Sequence, residues 1–127
     1  VLEFVRRLTF SILIGNADMH LKNWSLLYTQ PQKPELSPAY DFVSTIGYIP
    51  DFQLGLSLSR EKNMYKIDES HFRRMAVKAS LPEALVVRGM KETIENFHLL
   101  WPRAKQELPM SKRLIQEIEK HRSKILL

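Results

Sequence analysis

The sequence predicts one mainly α-helical domain with a small β-hairpin. Three observations predict it: apolar residues repeat at helical spacing over residues 2–14 and again through residues 68–126, two short runs between them read as strands, and the chain of 127 residues is 44% hydrophobic. That length and composition fit a single domain with a substantial core, and no internal repeat, low-complexity segment or linker interrupts it.

The elements follow in order. Leu2, Val5, Leu8, Thr9, Ile12 and Leu13 share one face of a first helix. Gly15 ends it as a C-terminal cap, where glycine turns left-handed without a Cβ penalty. Residues 24–28 and 36–39 read as the two strands, and the polar, proline-bearing stretch from Thr29 to Pro34 as their loop. Gly47, Pro50 and Gly55 break up the next region, in which Leu54, Leu56 and Leu58 alternate as a short strand does. Asp68 is the expected N-cap of a helix with Phe72, Met75, Ala76 and Ala79 on one face. Ser80-Leu81-Pro82-Glu83 has the capping-box pattern and predicts a helix through Leu85, Val86, Met90, Ile94 and Phe97 that ends at Trp101-Pro102. Pro109 and Ser111 introduce a last helix with Leu114, Ile115, Ile118 and Ile125 inward and its basic residues mostly outward.

The chemistry is concentrated between the first helix and the hairpin's far end. Gly15-Asn16-Ala17-Asp18-Met19-His20-Leu21-Lys22-Asn23-Trp24, completed by Tyr40-Asp41, holds two carboxylates, two carboxamides, an imidazole and an ammonium. Phosphoryl transfer from ATP needs a carboxylate to accept the proton of the attacking hydroxyl, a carboxamide oxygen on Mg2+, and a second carboxylate bridging metal and phosphates. Asp18 and Asn23, with four residues between them, reproduce the Asp-x-x-x-x-Asn step of a kinase catalytic loop, and Asp41 follows the hairpin where the metal-binding Asp belongs. On this scheme Asp18 is the base, and Asn23 and Asp41 hold the metal. Asp18 and Asn23 could each be simple turn formers, but that does not account for Asp41, His20 and Lys22 arriving with them.

The pattern Gly-Asn-x-Asp-x-His-x-Lys-Asn followed by Ser-Pro-x-Tyr-Asp resembles the catalytic segment of HipA-like serine/threonine kinases, the toxins of bacterial toxin-antitoxin pairs, whose fold is related to the phosphoinositide kinases. The similarity continues through Leu54-Gly55-Leu56-Ser57 and the helical region beyond. It implies that residues 1–127 are one C-terminal lobe of a protein-kinase-like, phosphoinositide-kinase-like fold, with catalytic loop 15–24, Asp41 on metal and a helical region 68–126. It further implies ATP and Mg2+ as cofactors, an aminoacyl-tRNA synthetase as the type of protein phosphorylated, and a DNA-binding helix-turn-helix antitoxin as partner. His20 stands where a group near the transferred phosphate is found in related kinases, and it reads equally as a loop histidine bonded to backbone. Lys22 reads either as a point charge for a phosphate or as the partner of a neighbouring carboxylate. Tyr40 and Trp24 read as packing residues that hold the loop, and His71, His98 and His121 as structural or surface residues. The resemblance also implies a phosphate-covering loop and a phosphate lysine upstream. With glycines only at positions 15, 47, 55 and 89, no Gly-x-Gly-x-x-Gly can be written in this chain. The chain opens on Val1 inside an amphipathic pattern, which predicts a piece of a longer protein, inactive by itself.

Other classes fit less well. The net charge is +5, with 12 basic against 11 acidic residues in positions 1–100 and 7 against 3 in positions 101–127. A basic terminal helix reads first as a solvated face and second as a surface for DNA or an acidic partner. There is no apolar run of about 18 residues and no secretory signal pattern, so the expected compartment is the cytoplasm, and the absence of cysteine removes disulfides and thiolate zinc sites. No Gly-x-Ser-x-Gly elbow exists for a serine hydrolase, and a zinc hydrolase built on Asp18, His20 and Asp41 is short of histidine ligands. The alternative of another class is a non-catalytic kinase-like lobe that docks a partner protein or DNA.

Overall fold

In a computed structural model that describes all 127 residues, the chain is mainly helical with two small antiparallel hairpins. Helix α1 spans Leu2–Ile14, strands β1 Leu26–Gln30 and β2 Lys33–Leu36, strands β3 Gln53–Leu58 and β4 Glu61–Asn63, and helices α2 Glu69–Lys78, α3 Glu83–Glu107 and α4 Lys112–Arg122. The first helix has the expected bounds: Gly15 takes φ 68° and ψ 46°, and the turn returns Gly15 N–H to Ile12 O and Asn16 N–H to Ser11 O. Its buried face, with Val5, Leu8 and Ile12, packs in one core with Leu54, Leu58, Phe72, Val86 and Met90. Leu13 and Ile14 enter a second, smaller core with Phe97, Trp101 and Ile118. Each such side chain contributes about 1.5–3 kcal/mol when fully buried, whereas the exposed ion pairs of the surface contribute far less. The core therefore fixes where α1 delivers the loop that follows it.

Five expectations are corrected. The first hairpin is shifted: its turn is only Pro31-Gln32, with Gln30 paired to Lys33 and Leu26 to Leu36, so Thr29 and Pro34 lie in strands. Pro34 is accepted because a two-stranded ribbon has free edges on which a missing N–H costs nothing. The alternating run at Leu54, Leu56 and Leu58 is half of a second hairpin rather than a lone strand, closed by Ser59-Arg60 with both φ positive (51° and 73°). Two left-handed residues give the turn a twist that suits the flanking strands, and Ser59 Oγ donates to His71 O at 2.8 Å.

Ser80 does not cap α3. Its φ is 52°, outside the extended region an N-cap needs, and the chain here returns Leu81 N–H to Ala76 O, so Ser80 closes α2 instead. Nor does α3 stop at Trp101-Pro102; it continues to Glu107 with Pro102 inside it. Proline removes one backbone bond there, but Trp101 Nε1–H and Lys105 Nζ both donate to Glu119 Oε1, at 3.3 and 2.6 Å, and so bind the last turns to α4. The final helix is also shorter than predicted, ending at Arg122 with Ile125 beyond it.

The capping role of Asp68 is as expected. Its carboxylate accepts from Ser70 N–H and Ser70 Oγ–H, with His71 Nδ1 at 2.8 Å, and these bonds, the Ser70 hydroxyl first, hold its pKa down to about 2. His121 is structural. It is 2% exposed, and because a carbonyl only accepts, its Nε2–H donates to Ile12 O at 2.6 Å. Burial is the main cause that lowers its pKa below the ordinary 6.5, opposed by the bond to Ile12 and aided by Lys124. The unfolded chain therefore binds a proton more readily than the folded one. Stability should be full above pH 6.5 and fall as pH drops below it. Thermal melts across that range should show the decline, and His121→Gln should flatten it; an unchanged slope in the variant would contradict the assignment.

Candidate active site

The loop after α1 is built from short backbone devices. Gly15 is needed for two reasons: its left-handed φ, and a Cβ that would stand 2.5 to 2.9 Å from three side-chain atoms of Ile46. Asn16, 2% exposed, accepts Asp18 N–H on Oδ1 at 3.1 Å, an Asx turn that fixes the backbone entering Asp18. From the other side Gly55 N–H donates to Ala17 O at 2.8 Å, so β3 lies directly against the loop. A Cβ on Gly55 would meet the carbonyl oxygens of Met19 and Ala17 at 3.2 and 3.3 Å. The second half of the loop is a single 3-10 turn, Leu21–Asn23, followed by Trp24, whose ring packs 4.8 Å from that of Phe4.

The hairpin then returns the chain to the loop. Tyr40 Oη donates to Lys22 O at 2.8 Å, which commits its one proton, so Ser25 Oγ donates to Tyr40 at 2.6 Å. Tyr40 and Trp24 are thus loop-holding residues, as expected. The next residue, Asp41, is left-handed with φ 57°, a conformation that Asp tolerates better than most side chains. There Asn23 Nδ2–H donates to Asp41 Oδ2 at 2.5 Å, joining residues 18 apart in sequence.

Of the predicted site residues, the structure brings Asn23 and Asp41 into contact. They line one small cleft with Arg7, Ser11, Asn16 and Tyr40. Asp18 is exposed and lies outside that cleft, joined to it through the Asn16 bond. His20 Nε2 is 3.7 Å from Asp18 Oδ1, beyond a hydrogen bond but within reach of a charge interaction when the ring is protonated; its Nδ1 is buried without a partner. That disposes of the loop histidine bonded to backbone. Lys22 is exposed and makes no ion pair with a neighbouring carboxylate. Sequence reasoning missed Thr45, Ser11 and the role of Asn16; only Asn16 carried a signal, since an Asn directly after a glycine cap is an Asx-turn former.

Two observations bear on a cation. Asn23 Oδ1 is buried with no partner, and Asp41 keeps one carboxylate oxygen outside its bond to Asn23. One amide oxygen and one carboxylate are a hard-oxygen set suited to Mg2+, which is commonly held by one or two such groups together with substrate phosphates. No three His, Asp or Glu side chains converge to hold a metal by themselves, so the Asp18, His20 and Asp41 zinc cluster is not formed.

The mainly helical fold thus presents one exposed carboxylate on a loop and a second one bonded to an amide beside it. Residues 1–101 match the HipA-like C-terminal domain, and the chain belongs to that family. "Putative kinase Y4dM" of Sinorhizobium fredii is 47% identical over 122 residues, which are 95% of this chain and 30% of that protein. "Putative kinase Y4mE" of the same organism is 30% identical over 98 residues, 76% of this chain and 23% of the relative. Among solved structures, a chain of the Shewanella oneidensis MR-1 toxin-antitoxin complex of HipA, HipB and operator DNA matches with a TM-score of 0.76 at 22% identity, covering 98% of this chain and 30% of that one. The fold is thus shared with it. The chain spans less than a third of the length of these relatives.

If the left-handed cap sets the loop's exit, Gly15→Ala should lower the unfolding free energy by about 2 kcal/mol or more, from the φ penalty together with the displaced Ile46. Urea denaturation measures it, and an unchanged midpoint would contradict the role given to this glycine.

Proposed function

We propose that this chain is the C-terminal catalytic lobe of an ATP-dependent serine/threonine protein kinase of the HipA type, a toxin-antitoxin toxin acting in the cytoplasm. The observation that carries the reading is the 2.5 Å bond between Asn23 and Asp41, the two residues expected to share a cation. Supporting it are the kinases named among the relatives and the membership of the HipA-like family. The HipA–HipB–DNA complex supports the helix-turn-helix antitoxin as partner. The aminoacyl-tRNA synthetase as phosphorylated protein rests on the family resemblance alone.

In the proposed reaction Asp18 takes the proton of a serine or threonine hydroxyl, whose oxygen bonds to the γ-phosphorus while the bond to the β-phosphate oxygen breaks and ADP leaves. The exposure of Asp18 suits it to a hydroxyl carried by a large partner. Asn23 and Asp41 hold Mg2+, which supplies neutralisation of the charge that develops on the phosphate oxygens. Holding it would require Asn23 to offer its oxygen, which the carboxamide does by turning about its terminal bond and giving up its hydrogen bond to Asp41. His20 stays beside Asp18, with its Nε2 3.7 Å from the carboxylate. Lys22, free of any ion pair, is available to a phosphate.

The docking-module alternative has less support. The basic terminal segment is partly used up internally: Arg103 pairs with Glu107, Lys105 with Glu119, and Arg122 lies over the Phe97 ring. No helix is long and apolar enough to cross a membrane.

Asp18→Asn in the longer parent should reduce phosphate transfer by about 10²- to 10⁴-fold, the usual worth of a positioned base. Full activity in that variant would remove the assignment. The family resemblance assigns the groups that grip a nucleotide from above to a region other than these 127 residues, so calorimetry of the chain with MgATP should give a dissociation constant weaker than about 1 mM. A tight titration would show that the lobe needs no second half.

A further inference from the structure

Asp18 and Asp41 do not touch, and yet the proposed chemistry needs them at one fixed separation. Asn23 ties Asp41 to the far half of the loop. The near half, which leads into Asp18, is tied elsewhere. Four residues beyond Asp41, the Thr45 hydroxyl accepts Ala17 N–H at 2.8 Å and donates its own proton to Gly15 O at 3.1 Å. Next to it, Ile46 N–H donates to the same Gly15 oxygen at 3.3 Å. One threonine side chain thus closes a ring of hydrogen bonds over the peptide units on either side of Asn16.

We propose that Thr45 is a positioning residue: its hydroxyl clamps the segment that carries Asp41 onto the loop that carries Asp18, and so sets the distance between the base and the metal-binding carboxylate. The proposal rests on the catalytic reading above. Other groups in the region do not do this. The Gly55 bond to Ala17 comes from β3, not from the segment next to Asp41, and the Asn16 bond to Asp18 is internal to the loop. The Ile46 amide reaches only Gly15 and leaves the Ala17 N–H unpaired if the hydroxyl is absent. A threonine suits the place because Oγ1 acts as acceptor and donor at once, while its methyl limits side-chain rotation.

The test compares Thr45→Val, which keeps the shape and removes the hydroxyl, with Thr45→Ser, which keeps the hydroxyl. In the 127-residue chain, hydrogen exchange of the Ala17 amide should quicken about tenfold in Thr45→Val. The Asn16 and Gly55 amides, bonded to Ser11 O and Ala17 O, should keep their protection, and Thr45→Ser should restore that of Ala17. In the longer parent, Thr45→Val should lower kcat by about a hundredfold, with KM for ATP within roughly twofold, and Thr45→Ser should recover most of kcat. An unchanged Ala17 amide would overturn the clamp, and so would equal acceleration at all three amides, which would mean general loosening. Normal kcat in Thr45→Val, alongside an inactive Asp18→Asn, would overturn the positioning role. If Asp18→Asn is itself active, the kinase reading is what fails, and the exchange of Ala17 still decides whether the clamp exists.

Discussion

An amide donating to a carboxylate across 18 residues of chain is the contact on which the site depends. Asn23 leaves a loop fixed by α1, Asp41 follows a hairpin, and nothing in either local structure makes them meet. Their meeting requires the hairpin to fold the chain back on itself and Tyr40 to dock on Lys22 and Ser25 just before Asp41. The strands of that hairpin are almost wholly exposed, so their value lies in returning the chain, not in burying surface. A left-handed Asp41 completes the turn, a conformation an L-residue adopts at some cost and which tends to persist where surrounding contacts fix it.

Beneath the site the packing is of another kind. The core under α1 unites helix, loop and second hairpin: Met19 from the loop, Leu54 and Leu58 from β3, and Met64 and Ile67 beyond β4 all enter one cluster. The loop is thereby held from below by apolar burial and from the sides by hydrogen bonds of Thr45 and Gly55. Asp18 is left projecting into solvent while its backbone is fixed. A side chain that is exposed while its backbone is held is preorganised, because the energy of ordering that backbone has been met during folding. His121 extends the same logic to the far end of the chain. Its ring bonds the carbonyl of Ile12, three residues before the cap, and thereby links α4 to the stem of the loop.

Much of this was legible in the residues. The first helix, its glycine cap and the Asp68 cap follow from local rules, whereas Asn23 and Asp41 were singled out by their places in a catalytic pattern and meet only through the hairpin. Where the reading failed, the deciding contacts were ones that the local residue pattern does not display. Ser80 has the composition of an N-cap but terminates the preceding helix, and Pro102 ought to end α3 but is bypassed because Trp101 and Lys105 are secured to Glu119. Thr45 was invisible for a similar reason. Its partners are 28 and 30 residues away, and a lone threonine in an irregular stretch carries no periodicity. The length of the first hairpin's turn failed on proline, whose usual exclusion from strands does not apply on a free edge.

The central claim, that Asn23 and Asp41 together form a cation site, is most directly tested with paramagnetic Mn2+ and the isotope-labelled chain. The account predicts that resonances of the Asn23 side-chain amide and of the Asp41 backbone broaden first, and that Asp41→Asn, which keeps the left-handed backbone and removes the charge, abolishes that broadening. Broadening that begins instead at exposed acidic side chains such as Glu83 or Glu107, and that is indifferent to Asp41→Asn, would contradict it.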